Sequence, residues 1–184
     1  MASLAVLAVW AVLDRQSTGD RRRYHDKEFR VAHVLDGDTL DIDIPDGRRA
    51  TTRVRLWGVD TPEVAGSPAG VMYFGPEASA YTKQHLTDRS VRVVLAPTQT
   101  RDIYNRLLAF IYFTEGEERM LNEALVETGH AYSDWRFDHP FRRRFETLEK
   151  RAQAAHVGLW GQVASDQMPA WRQRMETARS QNKH

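Results

Sequence analysis

From Phe29 to Phe113 the chain alternates apolar and polar side chains in short runs. Leu40, Ile42 and Ile44 are separated by Asp41 and Asp43, and Val54 and Leu56 by Arg53 and Arg55. Such a period of two marks strands with one face toward a core. Five runs carry it or are β-rich throughout: Phe29–Leu35, Leu40–Ile44, Thr52–Trp57, Val91–Leu95 and Leu107–Phe113. Pro45-Asp46-Gly47 is a turn signal between the second and third. Short strands with turns between them predict a small barrel or sandwich. Elsewhere the period becomes helical. Pro76 and Glu77 start a helix running to about Leu86, and Gly129 closes a short one over Asn122–Thr128. Phe141, Phe145, Leu148, Ala152 and Ala155 form a helical stripe that ends before Gly158. The order of these elements predicts an α+β fold with a closed β-core.

The 184 residues (21.2 kDa) suffice for one domain and divide by composition into three stretches. Residues 1–28 hold an apolar run and a basic linker, 29–160 the domain, and 161–184 a polar tail. Trp171 and Met175, one turn apart, predict only a weak amphipathic helix there, without chemistry. Ala2 to Leu13 is apolar but for Ser3, too short for an ordinary membrane span, which needs about 20 residues. It has the length of a signal-peptide core, with no Lys or Arg before it and no clean cleavage site after it. The expected localisation is secreted or membrane-anchored, with a cytoplasmic protein as the alternative. With 26 basic and 25 acidic residues the net charge is +1, so any binding of nucleic acid must come from local placement of arginines. Having no cysteine, the chain cannot use disulfides, Cys-based zinc sites or thiol nucleophiles. No G-x-S-x-G or H-E-x-x-H occurs, which leaves serine-hydrolase and zinc-hydrolase chemistry unsupported.

Acids and arginines in two loop segments are the candidates for chemistry. Asp36-Gly37-Asp38-Thr39 lies between strands, where Asp-Gly alone reads as a turn. In Arg55-Leu56-Trp57-Gly58-Val59-Asp60-Thr61-Pro62-Glu63, an arginine leaves a strand and two acids follow in a loop. Carboxylates on adjoining loops, with a backbone carbonyl, suit a hard cation such as Ca²⁺. An EF-hand is excluded, because counting from Asp41 places Pro45 at a ligand position and Asp46 where glycine is required. Arg55 and Arg106 beside such acids would suit a phosphodiester, whose oxygens gain negative charge during attack.

These segments resemble the staphylococcal nuclease (thermonuclease) family. Val34–Thr39 and Arg55–Glu63 are similar to its two signature segments, and Gly75–Lys83 to its first helix. Asp102–Ala109 resembles its third segment, Asn122–Val126 with Gly129 and Ala131 its second helix, and Gly158-Leu159-Trp160 its closing motif. The resemblance runs in order from Phe29 to Trp160. It implies a five-stranded OB-fold β-barrel packed with three α-helices, and a calcium-dependent nuclease that hydrolyses DNA and RNA to leave 3′-phosphate ends. It further implies Asp38 and Asp60 as calcium ligands with the Thr61 carbonyl, Glu63 as holder or base of the attacking water, and Arg55 and Arg106 as the phosphate clamp. Tyr104 would lie near a terminal phosphate. Trp135 falls where an aromatic can stack on a base, against which stands plain packing. Single strands are the favoured substrate, and the protein is expected to be a monomer.

Two departures from the family pattern matter. Ile103 stands where the type member has a lysine, and Val64–Phe74 carries no Lys or Arg, so weaker binding of a terminal phosphate is expected. Asn105 replaces a common glycine before Arg106, at a position that suits a left-handed turn. The alternative reading is a binding module of the same fold without catalysis. Arg142-Arg143-Arg144 reads as a solvated helix face or a contact to nucleic-acid backbone.

Overall fold

A computed structural model describes residues 16–68, 70–116 and 118–181. The apolar run at residues 1–13, with the localisation drawn from it, lies outside them. No helix among the described residues is long and apolar enough to cross a membrane.

Five strands close a barrel in the order β1 (Lys27–Val34), β2 (Thr39–Ile42), β3 (Thr52–Leu56), β6 (Leu107–Phe113) and β5 (Ser90–Leu95), with β5 returning to β1. All neighbours are antiparallel except β3 and β6. The alternating apolar residues fill the interior: Leu40, Ile42, Val54, Leu56, Val91, Val93 and Ile111 are buried. The α+β, OB-like expectation therefore holds. The polar side of these strands is not all open to solvent: Asp41 is buried. Its cross-strand neighbour Arg53 covers it and donates to both of its oxygens at 2.9 and 3.1 Å.

Among the described residues there are five α-helices rather than three. The three expected with the domain are α2 (Gly75–Leu86), α3 (Leu121–Glu127) and α4 (Arg142–Ala154), and the helix expected around Trp171 and Met175 is also present. Residues 16–24, taken from the sequence as part of a linker, form α1. Tyr24 on α1 is buried in the barrel core, and Asp20 pairs with Arg101 at 2.8 Å, so the basic run belongs to the folded unit. The tail forms α5 (Ala170–Gln181). A two-stranded pair of β4 (Val59–Asp60) and β7 (Tyr132–Ser133) sits outside the barrel, carries Asp60, and faces the tail.

Asn122 joins α3 to the barrel. Fully buried, it donates to the carbonyls of Trp57 and Ala109 at 2.9 and 3.3 Å and accepts from the Ile111 amide at 3.0 Å. That bracket holds the end of β3, from which the Arg55–Glu63 segment departs.

His139 is packed between Phe110 and Phe145, and neither of its ring nitrogens has a hydrogen-bond partner. Burial lowers its pKa from the ordinary 6.5. The unfolded chain then binds a proton the folded one refuses, so stability falls as pH drops below about 6.5. The urea midpoint should decrease between pH 7.5 and 5.5, and His139→Gln should lessen that decrease. Equal slopes in the two proteins would refute this origin.

Candidate active site

Three cavities meet at the mouth of the barrel between β3 and the loops around it. The smallest, about 130 Å³, is lined by Asp36, Asp38, Thr39, Arg55, Thr61, Pro62, Glu63 and Arg106. It unites residues from three separate segments of the chain. Asp38 precedes β2, Arg55 lies on β3 opposite Thr39, and Arg106 immediately precedes β6, which runs parallel to β3. The barrel topology alone brings these three together.

Arg55 stands between the two acids. Its Nη1 contacts Asp38 Oδ1, and its Nη2 donates to Asp60 Oδ1 at 2.6 Å. Asp38 Oδ2 accepts from the Thr61 amide at 2.7 Å, which ties the first signature loop to the second. Gly37 lets them approach so closely: a Cβ there would meet the Thr61 side chain at 2.7 Å. Behind Asp38, the Asp36 carboxylate accepts from the Asp38 amide at 3.0 Å. Burial raises the pKa of Asp36 above its ordinary 3.8, while Arg55 opposes the rise.

Arg106 leaves a tight loop organised by Asp102. One Asp102 oxygen accepts from the amides of Tyr104 and Arg106, both at 2.9 Å, and the other from Arg106 Nε at 2.6 Å. Asn105 sits at φ 63°, the left-handed position expected for it. With Nε taken, the terminal nitrogens of Arg106 make no hydrogen bond to protein among the described residues and can meet an anion. Ile103 and Tyr104 at the loop tip are 89% and 69% exposed. Together with Arg55, Arg106, Leu108 and Phe137 they line a second cavity of about 480 Å³, apolar in much of its wall.

The third cavity, about 740 Å³, opens on the other side of Asp60, Thr61 and Glu63, and α5 forms its far wall. Asp60 Oδ2 accepts from the indole Nε1 of Trp171 at 2.7 Å. Arg136 lines both larger cavities, lies 3.7 Å from Asp60, and stacks its guanidinium 4.3 Å from the Trp171 ring centroid. A tail expected to carry no chemistry thus reaches a candidate ligand.

Asp38, Arg55, Thr61, Glu63 and Arg106 share one cavity, Asp60 joins them through Arg55, and Tyr104 borders the next. Trp135 is not among the lining residues of these three cavities. It packs edge-on against Trp171, 5.9 Å between centroids, beside Tyr132 and Trp160, so the packing alternative describes it. Arg142 and Arg144 are paired with Glu146 and Glu123 at 3.1 and 2.5 Å. Reading the sequence missed Asp36, Asp102, Arg136 and Trp171. For Asp102 a signal existed, an acid four residues before Arg106. For Trp171, 111 residues from Asp60, there was none.

Whether a cation fits depends on the donor set. Asp36, Asp38, Asp60, Thr61 and Glu63 offer hard oxygens, the type Ca²⁺ takes at about 2.3–2.6 Å. As they stand, Asp38 and Asp60 neutralise Arg55, and among the described residues no three His, Asp or Glu side chains converge as a ready cluster. The donor chemistry fits. A bound cation would take over the carboxylate oxygens that Arg55 now neutralises.

A family model described as staphylococcal nuclease homologue matches residues 53–162. The chain belongs to that family. It is 36% identical over 137 residues to a thermonuclease from Staphylococcus hyicus, covering 74% of this chain and 77% of that protein. A thermonuclease from Staphylococcus intermedius is 37% identical over 73% of this chain and 76% of its own. A micrococcal nuclease from Shigella flexneri is 29% identical over 82% of this chain and 84% of its own. The family span includes Arg55, Asp60, Glu63 and Arg106, and ends before Trp171.

Proposed function

We propose that this protein is a calcium-dependent nuclease that hydrolyses phosphodiester bonds of DNA and RNA and leaves 3′-phosphate ends. The observation that carries the proposal is the single small cavity shared by Asp38, Arg55, Thr61, Glu63 and Arg106. The relatives named thermonuclease and micrococcal nuclease support it.

Asp38 and Asp60, with the Thr61 carbonyl, would hold the calcium ion, which when bound polarises a phosphoryl oxygen and offsets its charge. Arg106 presents its terminal nitrogens to the scissile phosphate, and Arg55, whose two carboxylate partners would turn to the cation, presents a second fork. Both hold more strongly as negative charge builds on the equatorial oxygens. Glu63 borders the same cavity and positions a water or accepts its proton as the oxygen attacks phosphorus. The P–O5′ bond breaks with its electron pair going to the 5′ oxygen, which takes a proton from solvent water and leaves as a hydroxyl, and phosphate stays on the 3′ side. Tyr104, beside Arg106, and Phe137, packed on Trp57, border the second cavity with exposed aromatic surface for unpaired bases, which favours single strands. Exposed Ile103 adds no charge at that mouth, consistent with a weak hold on a terminal phosphate. We take the protein to be a monomer, since the scheme calls on no residue of a second chain.

The test is incubation of the full chain with heat-denatured DNA and with RNA, in calcium and then in excess chelator. Cleavage with 3′-phosphate ends is expected in calcium and none in chelator. Cleavage that continues in chelator would refute the calcium role. Binding without cleavage in either condition would instead support the non-catalytic module.

A further inference from the structure

We infer that Trp171 is a positioning residue for Asp60, and that α5, beyond the span the family model matches, is therefore part of the cation site. The inference rests on the calcium reading above and names a device within it.

The two oxygens of Asp60 have different partners. Oδ2 accepts from the Trp171 indole at 2.7 Å, whereas Oδ1 faces Arg55 at 2.6 Å. A carboxylate on a freely turning side chain samples many orientations. One whose outer oxygen is held by a rigid neutral donor presents its other oxygen in a fixed direction. That direction is toward Arg55, whose other end is on Asp38. The indole adds no charge, so its bond fixes Asp60 without competing for a cation, while the Arg136 guanidinium stands 3.7 Å from the same oxygen, outside hydrogen-bond reach.

Trp171 is itself held in place. It is 7% exposed, with the Arg136 guanidinium over its ring. The next residue, Arg172, makes paired bonds to Glu149 at 2.9 and 3.0 Å. Glu149 also accepts from the Ser133 amide at 2.9 Å, and Ser133 and Tyr132 pair with Val59 and Asp60. One buried acid thus anchors both the helix that carries Trp171 and the strand pair that carries Asp60. Such an arrangement keeps donor and acceptor in register. Trp160, in the same aromatic cluster, provides a contrast, because its buried Nε1 has no hydrogen-bond partner.

The experiment is a calorimetric calcium titration of the full chain, run in parallel with the calcium dependence of cleavage. Trp171→Phe keeps the packed ring and removes the donor. It should bind calcium about tenfold more weakly or worse, the usual effect of losing a hydrogen bond to a metal ligand. Trp160→Phe should titrate like the wild type. Thermal midpoints in chelator show that both variants fold. In the unmodified protein, the Trp171 indole N–H resonance should move during the titration while that of Trp160 stays, a readout that survives even if Trp171→Phe does not fold. Unchanged calcium affinity in Trp171→Phe, an equal loss in both variants, or a stationary Trp171 resonance would overturn the inference while the calcium reading stands. A wild type that takes up no calcium would overturn both, and the wild-type titration alone distinguishes that case.

Discussion

Arg106→Ala should lose cleavage by roughly 10³-fold in kcat with a stable fold, as removal of one charged donor to a developing oxyanion commonly does. The basis is the division of labour in its guanidinium. Asp102 takes Nε and the backbone amides of the loop, and the guanidinium lies 5.4 Å from the Tyr104 ring centroid, so the side chain is aimed while its terminal nitrogens keep no hydrogen-bond partner among the described residues. Arg106→Lys keeps the charge but loses both the fork and the Nε bond to Asp102, and should recover little. Single-turnover cleavage of a short DNA strand at saturating calcium is the measurement. Lys restoring most of the rate would mean that charge alone matters there, and the geometric argument would fail. Little loss in either variant would remove Arg106 from the reaction.

Glu149→Ala should destabilise the fold strongly. Burial pushes the Glu149 carboxyl up, yet two N–H···O contacts from Arg172 and a third from the Ser133 amide are the setting of an ionised pair. Alanine would leave the buried Arg172 guanidinium without that counter-ion, keeping only Glu176 at 2.9 Å on its exposed side. Breaking a buried pair from one end costs about 3–5 kcal/mol. In a chain of this size that is a fall in thermal midpoint on the order of 10 °C. Replacing both partners, Glu149→Leu with Arg172→Met, should recover a good part, because no charge is then stranded. A midpoint shift near zero for Glu149→Ala would mean that water enters and solvates Arg172, and that α5 is held by its aromatic contacts instead.

The strands and four of the helices, the tail helix through Trp171 and Met175 among them, were legible because their signals are local. Alternation at Leu40, Ile42, Val54 and Leu56 reports a face, and Pro76 and Gly129 report ends, whatever the partner elements turn out to be. The site was legible in part for the same reason, since acids and arginines stand in short segments with recognisable spacing. Periodicity places Asp41 on the polar side of its strand but cannot tell solvent from a covering neighbour, here Arg53 across the strand. Residues 16–24 were misread because a polar, Arg-rich stretch looks like a linker until Tyr24 and Asp20 find the barrel.

The small net charge, the strand periodicity and the candidacy of Asp38, Arg55, Asp60, Glu63 and Arg106 were determined by the sequence. What those residues do to one another was decided only by the tertiary structure. Barrel closure beside β3 brings Arg106 next to Arg55, and a helix more than a hundred residues further on places an indole against Asp60. Hydrogen bonds depend on distances of a few tenths of an ångström between groups far apart in the chain, and linear spacing carries no record of them.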